Sequence, residues 1–152
     1  MSAERLKRCL EPGVSLLVGS VSAAGVPAVC RAVALTATDN LSTATTYLPL
    51  ATSQDTIANV ASTHWIAVAA TNVVDHCSTQ LKGIVTNVRL ARDDESPLLR
   101  AQLDQFGDVV DALGLPKRII RTVAVWPAFA VEFRVDEIYD QTPGPRAGSR
   151  LR

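Results

Sequence analysis

The sequence predicts a mainly β domain of α+β content: a six-stranded antiparallel barrel, closed or split, flanked by two to three helices. Three observations carry this. Two runs rich in Val, Leu and small residues, Val14–Ser22 and Pro27–Ala37, flank the turn Ala23-Ala24-Gly25, which is a hairpin signal. Asp39-Asn40 then turns the chain directly into Leu41–Tyr47, whose Thr43, Thr45 and Thr46 favour extended backbone. No helix separates these three strands, and a parallel doubly wound sheet would need one at each crossover. Finally, Phe129, Val131, Phe133 and Val135 alternate with smaller or polar residues, the period of a half-buried strand.

The remaining elements follow in chain order. Ser2 to Glu11 reads as a short amphipathic helix with Leu6, Cys9 and Leu10 on one side, stopped by Pro12-Gly13. Pro49 ends the third strand, and Ser53 is placed to cap a helix over Gln54–Ser62 with Ile57, Val60 and Ala61 inward. Trp65–Ala70 is the next strand, Asn72–Thr79 a polar loop, and Gln80–Arg92 a long strand in which Gly83 marks a bulge or a close approach. Ser96-Pro97 opens the clearest helix, with Leu99, Leu103, Phe106, Val110 and Leu113 at helical spacing and Gly114 as its stop. After Pro116 a short basic segment leads into Val123–Trp126. Residues 1–140 form a single domain on this reading, and the Pro- and Gly-rich tail, 141–152, stays outside regular structure.

Composition narrows the function. Fifteen basic and fifteen acidic residues cancel in a chain of 152, so no global field draws it to nucleic acid or to an anionic membrane. The short basic clusters at Arg5-Lys7-Arg8, Lys117-Arg118-Arg121 and Arg146, Arg150 and Arg152 read as solvated faces. No apolar run approaches the roughly 20 residues of a membrane span, and the N-terminus lacks the apolar segment of a secretion signal. Cys9, Cys30 and Cys77 are odd in number and far apart, which fits reduced thiols and a cytoplasmic protein better than a disulfide framework.

Among chemically interesting residues, Arg31 stands out as the one charge in the apolar ladder Val29-Cys30-Arg31-Ala32-Val33-Ala34-Leu35. A buried guanidinium is costly without an anion. The partner is therefore either a ligand or an internal carboxylate, for example Glu132. His64 and His76 show no metal-ligand spacing, so no metal site is expected. Asp75, His76 and Ser78 are too close along one backbone to converge as a hydrolytic triad. Trp65 and Trp126 are expected in the core or at a subunit contact. The tail is expected either to be a loose end or to be an arm that carries Arg146 to a neighbouring subunit.

The element order and several local patches resemble the flavin-binding split barrels related to pyridoxamine 5′-phosphate oxidase. The patches are Gly25 and Pro27 with Arg31-Ala32-Val33-Ala34-Leu35; Thr45–Ser53 followed by a helix and Trp65-Ile66-Ala67-Val68; Gln80-Leu81-Lys82-Gly83-Ile84-Val85; and Trp126-Pro127 with Val131-Glu132-Phe133. The resemblance implies a six-stranded split β-barrel, a homodimer, and FMN at the dimer interface. It implies that Arg31, Ala32, Val33 and Ala34 contact the flavin, that Ser53 and Gln54 serve its phosphate, and that Gln80 and Lys82 are further cofactor contacts. Deazaflavin or haem binding, or a non-catalytic sensor, are the alternatives on the same fold. The departures are specific. Where the oxidase has a basic phosphate loop, this chain has Ser53-Gln54-Asp55; Thr36 replaces a lysine; and Glu137–Asp140 lacks the substrate-holding Arg and His. Oxidation of pyridoxamine phosphate is accordingly not expected, and a flavin-dependent oxidoreductase of another substrate is.

Overall fold

Two residues, Ala32 and Val33, decide the architecture. They separate β2 from β3, strands that lie at opposite edges of one antiparallel sheet. The computed structural model describes residues 3–152. Its elements are α1 (Ala3–Arg8), β1 (Ser15–Val21), β2 (Pro27–Arg31), β3 (Ala34–Ala37), β4 (Thr43–Pro49), α2 (Gln54–Thr63), β5 (Trp65–Thr71), β6 (Ser78–Leu90), α3 (Ser96–Ala112), α4 (Lys117–Ile120), β7 (Ala128–Asp140) and β8 (Ser149–Arg150). The sheet runs β2-β1-β5-β6-β7-β4-β3, with β8 added on β7. For two edges to be joined by two residues the sheet must curl on itself. The Ala32 N–H donates to Leu16 O of β1 at 3.1 Å, and the next N–H, of Val33, donates to Tyr47 O of β4 at 2.9 Å. One extended run thus changes partner between neighbouring amides, and the result is a split barrel.

Several expectations are corrected here. The single strand expected over Pro27–Ala37 is two, because its hydrogen bonds go first to β1 and then to β4. The alternation seen at Phe129–Val135 belongs to a longer strand: β7 starts at Ala128 and runs for 13 residues. The tail is not wholly irregular: Ser149 and Arg150 pair with Asp140 and Tyr139. It folds back on its own chain, and the Arg152 guanidinium donates to Asn40 O, Leu41 O and Val135 O at 2.6–3.1 Å. Eight strands result where six were expected. On α2, Thr56 and Val60 are buried while Ala61 faces out. Cys9 and Cys77 are joined as a disulfide between the turn after α1 and the β5–β6 loop, with Cα atoms 5.7 Å apart; Cys30 is the free, buried thiol. Their spacing in sequence hid the pairing, and the argument from cysteines for a reducing compartment goes with it.

Inside the curl, Val18, Leu48, Val60, Val68, Leu81, Val131 and Phe133 are almost fully buried. Val33, Ala34, Tyr47, Leu99, Ala128 and Ala130 form a second cluster under α3. The longest pairing, β6 with β7, contains register shifts between Lys82 and Gly83 and between Val85 and Asn87. The first explains Gly83 as anticipated: a Cβ there would sit 1.8 Å from the Arg134 carbonyl oxygen. Only a residue without a side chain permits that approach. We expect Gly83→Ala to lose about 3 kcal/mol of stability, read from urea unfolding, since backbone and not a flexible side chain must yield; a loss below roughly 1 kcal/mol would contradict the close approach.

Candidate functional site

Side chains alternate across a strand, so each strand that lines the core also presents an outer face. Across β2, β1, β5, β6 and β7 that face falls into two rows. Arg31, Leu17, Ala69, Gln80 and Tyr139 form one, and Val29, Gly19, Ala67, Lys82 and Glu137 the next. Leu17 is 44% exposed, Val29 69%, and Trp65, one row further, 56%. In the second row the middle positions, Gly19 and Ala67, are small, and a trough of about 770 Å³ runs over Gly19, Val29, Trp65, Ala67 and Lys82. That lies within the roughly 300–1,000 Å³ of cofactor pockets. A Cβ added at Gly19 would meet only one atom, at 4.0 Å, so the floor is open to a flat ring.

Three of the eight residues proposed from sequence share this face: Arg31 and Gln80 in one row, Lys82 in the next. Arg31 is exposed, which corrects the expectation of a buried charge. Its Nη1 donates to Ser15 Oγ at 3.2 Å, its guanidinium lies 5.8 Å from the Phe106 ring centroid, and it makes no ion pair among the described residues. Lys82 Nζ stands 4.6 Å from the Tyr139 ring centroid, a cation–π distance. Gln80 accepts weakly, at 3.4 Å, from Gln141 Nε2. Trp65 is on this surface and not in the core; Trp126 is the one that packs inside, on the cluster under α3.

The other five lie elsewhere. Ala32, Val33 and Ala34 are buried at the seam. The first two amides close the barrel, and Ala34 O accepts from Thr46 Oγ1. Ser53 is buried, and its hydroxyl donates to Pro49 O at 2.7 Å instead of capping α2. Gln54 is exposed beside Asp55, an acid in the first turn of α2. A helix N-terminus attracts anions, but here Asp55 adds a negative charge to that first turn. His64 and His76 sit apart, each exposed and on left-handed backbone at a turn.

Sequence reasoning missed a polar cluster altogether. Glu132 does not meet Arg31. It accepts from Arg89 Nε at 2.9 Å, while Arg89 Nη1 and Nη2 grip both oxygens of Glu95 at 2.7 and 2.8 Å. Tyr47 Oη donates to the same carboxylate at 3.0 Å and the Arg92 N–H at 2.7 Å. Five polar groups from β4, β6, β7 and the turn before α3 are thereby fixed to one another. The Arg89 fork, followed by the donors from Arg92 and Tyr47, holds the Glu95 carboxyl down at about 2 although burial opposes it. Burial, aided by Glu95, pushes the Tyr47 phenol up. Perturbed groups of this kind often mark active sites. This cluster opens on none of the described cavities and its acceptors are filled, so its role is to hold the elements together.

No family model matches the chain, and no curated protein does. Solved structures are similar to it. HupZ of Group A Streptococcus is 15% identical with a TM-score of 0.59, over 97% of this chain and 100% of that one. A protein of Lactobacillus delbrueckii proposed to be a pyridoxamine 5′-phosphate oxidase is 15% identical with a TM-score of 0.53, over 90% and 88%. An FMN-binding protein of Syntrophomonas wolfei is 10% identical with a TM-score of 0.55, over 89% and 84%. At these identities the likeness is one of fold, the split barrel. No described helix is long and apolar enough to cross a membrane.

The Glu95 cluster yields a pH prediction. A carboxyl at about 2 when folded, against an ordinary 4.5, contributes stability that is complete above about 4.5 and is lost as pH falls toward 2. Its size is about 3 kcal/mol. Glu95→Gln is expected to cost about 3–5 kcal/mol at pH 7, because Arg89 loses its fork, and to flatten the stability profile between pH 4.5 and 2 in denaturant titrations. A variant as acid-sensitive as the parent would contradict this.

Proposed function

We propose that this chain binds FMN on the outer face of its barrel, as a homodimer, and serves as a flavin-dependent oxidoreductase. The observation that carries the reading is the outer face on which Lys82 lines the trough over Gly19 and Ala67 while Arg31 and Gln80 lie in the adjoining row. The donor set suits a flavin. Arg31 and Lys82 offer cations for phosphate or an electron-rich ring edge, the Gln80 amide both donates and accepts, and Gly19, Ala67 and Ala69 give a flat apolar floor. FMN, when bound, would supply hydride or electron transfer, and the protein orientation and electrostatics. The split-barrel fold shared with an FMN-binding protein supports the assignment. Leu17, Val29 and Trp65 make an apolar face of the kind a subunit contact covers, which supports the homodimer.

One observation favours a second reading, a non-catalytic flavin, deazaflavin or haem binder or sensor. The Ser53 hydroxyl is committed to Pro49 O and Asp55 stands in the first turn of α2, so the helix end expected to serve the phosphate carries an acid and no cation. Reduction of bound flavin by a nicotinamide and its reoxidation would favour the enzyme; inert flavin would favour the binder.

The assignment is tested by titrating the protein with FMN, following flavin fluorescence and the visible spectrum after desalting. Arg31→Ala is expected to weaken binding by about 1.5–3 kcal/mol with folding intact, since Arg31 is exposed and makes no ion pair among the described residues. Equal affinity of variant and parent, or no binding by either, would overturn it.

A further inference from the structure

The seam that closes the barrel leaves a second, more enclosed space. Between β1, the β2–β3 crossing, α3 and the segment around α4 lies a cavity of about 210 Å³. It shares no lining residue with the trough on the outer face. Its walls are apolar, with Leu16 and Leu35 on the barrel side, Leu103 and Phe106 from α3, and Ile120 and Val123 closing it.

Three polar side chains reach it, and they are not equivalent. Gln102 is spent: its Nε2 donates to Leu35 O at 3.1 Å and its Oε1 accepts from Leu35 N–H at 3.0 Å. Glu11 is exposed and makes no ion pair with Arg31. Arg31 carries five N–H donors, of which one is given to Ser15 Oγ. Phe106, a wall of the cavity, lies against its guanidinium. A largely apolar space with one underused guanidinium at its edge has the chemistry to hold an amphipathic anion. Size sets the class. An apolar cavity of about 150 Å³ holds benzene, so about 210 Å³ accommodates one ring and a carboxylate.

We infer that this cavity binds a small apolar carboxylate, its ring or short chain among Leu35, Leu103, Phe106 and Ile120 and its carboxylate on Arg31. The inference goes beyond the flavin assignment and does not rest on it. Glu11 opposes the ligand's charge, so its neutralisation tightens binding.

The test uses the full chain without FMN, labelled at methyl carbons and titrated with benzoate and with the neutral, nearly isosteric benzamide. Saturable shifts of the Leu35, Leu103 and Ile120 methyls are expected with benzoate, and about tenfold weaker binding of benzamide. Arg31→Gln should weaken benzoate about tenfold or more and leave benzamide unchanged, and Glu11→Gln should tighten benzoate. No saturable shift at these methyls, equal affinity for the two probes in the parent protein, or benzoate binding indifferent to Arg31→Gln would each overturn it. The comparison of probes in the parent protein needs no variant to fold, and the outcome is separate from that of the FMN titration.

Discussion

Everything in this fold depends on two adjacent amides that bond in opposite directions. With the Ala32 N–H on β1 and the Val33 N–H on β4, the two edges of the sheet are tied by a single peptide step. The arrangement removes much of the exposed edge that an open sheet would offer to other chains. It also fixes register. Side chains alternate, so Cys30 points into the core, Arg31 outward, and Ala32 back into the seam. A slip of one residue would exchange the faces, burying a guanidinium and exposing the core. The position of the one charge in this ladder is therefore a consequence of closure.

The centre of the sheet is adapted to the same end. β6 and β7 must serve both halves of the curl, and they do so through register shifts, the first of which needs Gly83 to lie against the Arg134 carbonyl. That shift leaves Lys82 on the outer face and Val135 in the core. At the far end of β6 the Arg89–Glu95 fork, with Tyr47 and Glu132, clamps β4, β6, β7 and the start of α3. Close pairing of these ions within a filled hydrogen-bond network makes the cluster costly to open, because removing either partner would strand a largely buried charge. With the core thus held, the outer face can be hollow and apolar, a shape that contributes little to folding and suits a ligand.

The sequence made most of the elements legible because their signals are local. A Val- and Leu-rich run beside a turn found β1, alternation found β7, Pro97 and Gly114 bracketed α3, and Gly83 announced its close approach. The seam was illegible for a physical reason: an extended run keeps the same φ and ψ preference whether its hydrogen bonds go to one neighbour or to two in turn. β8 escaped because its pairing depends on where β7 ends, and Pro and Gly around it argue against structure on local grounds. The disulfide between Cys9 and Cys77 and the partner of Glu132 are contacts between distant segments, and no spacing rule reaches them. Of the residues the resemblance implied for a cofactor, Arg31, Gln80 and Lys82 share the outer face through a cross-strand register that only the structure shows. Ser53 and Gln54 rested on a helix start, and there the hydroxyl found a nearer acceptor in Pro49 O.

The most direct measurement is to map where FMN perturbs the protein, using backbone amide and methyl resonances of the intact chain. If the outer face is the flavin surface, shifts will concentrate on Leu17, Val29, Ala67, Ala69 and the Gln80 and Lys82 amides. Shifts confined to Ser53, Gln54 and Asp55 at the start of α2, with the outer face unmoved, would contradict the account.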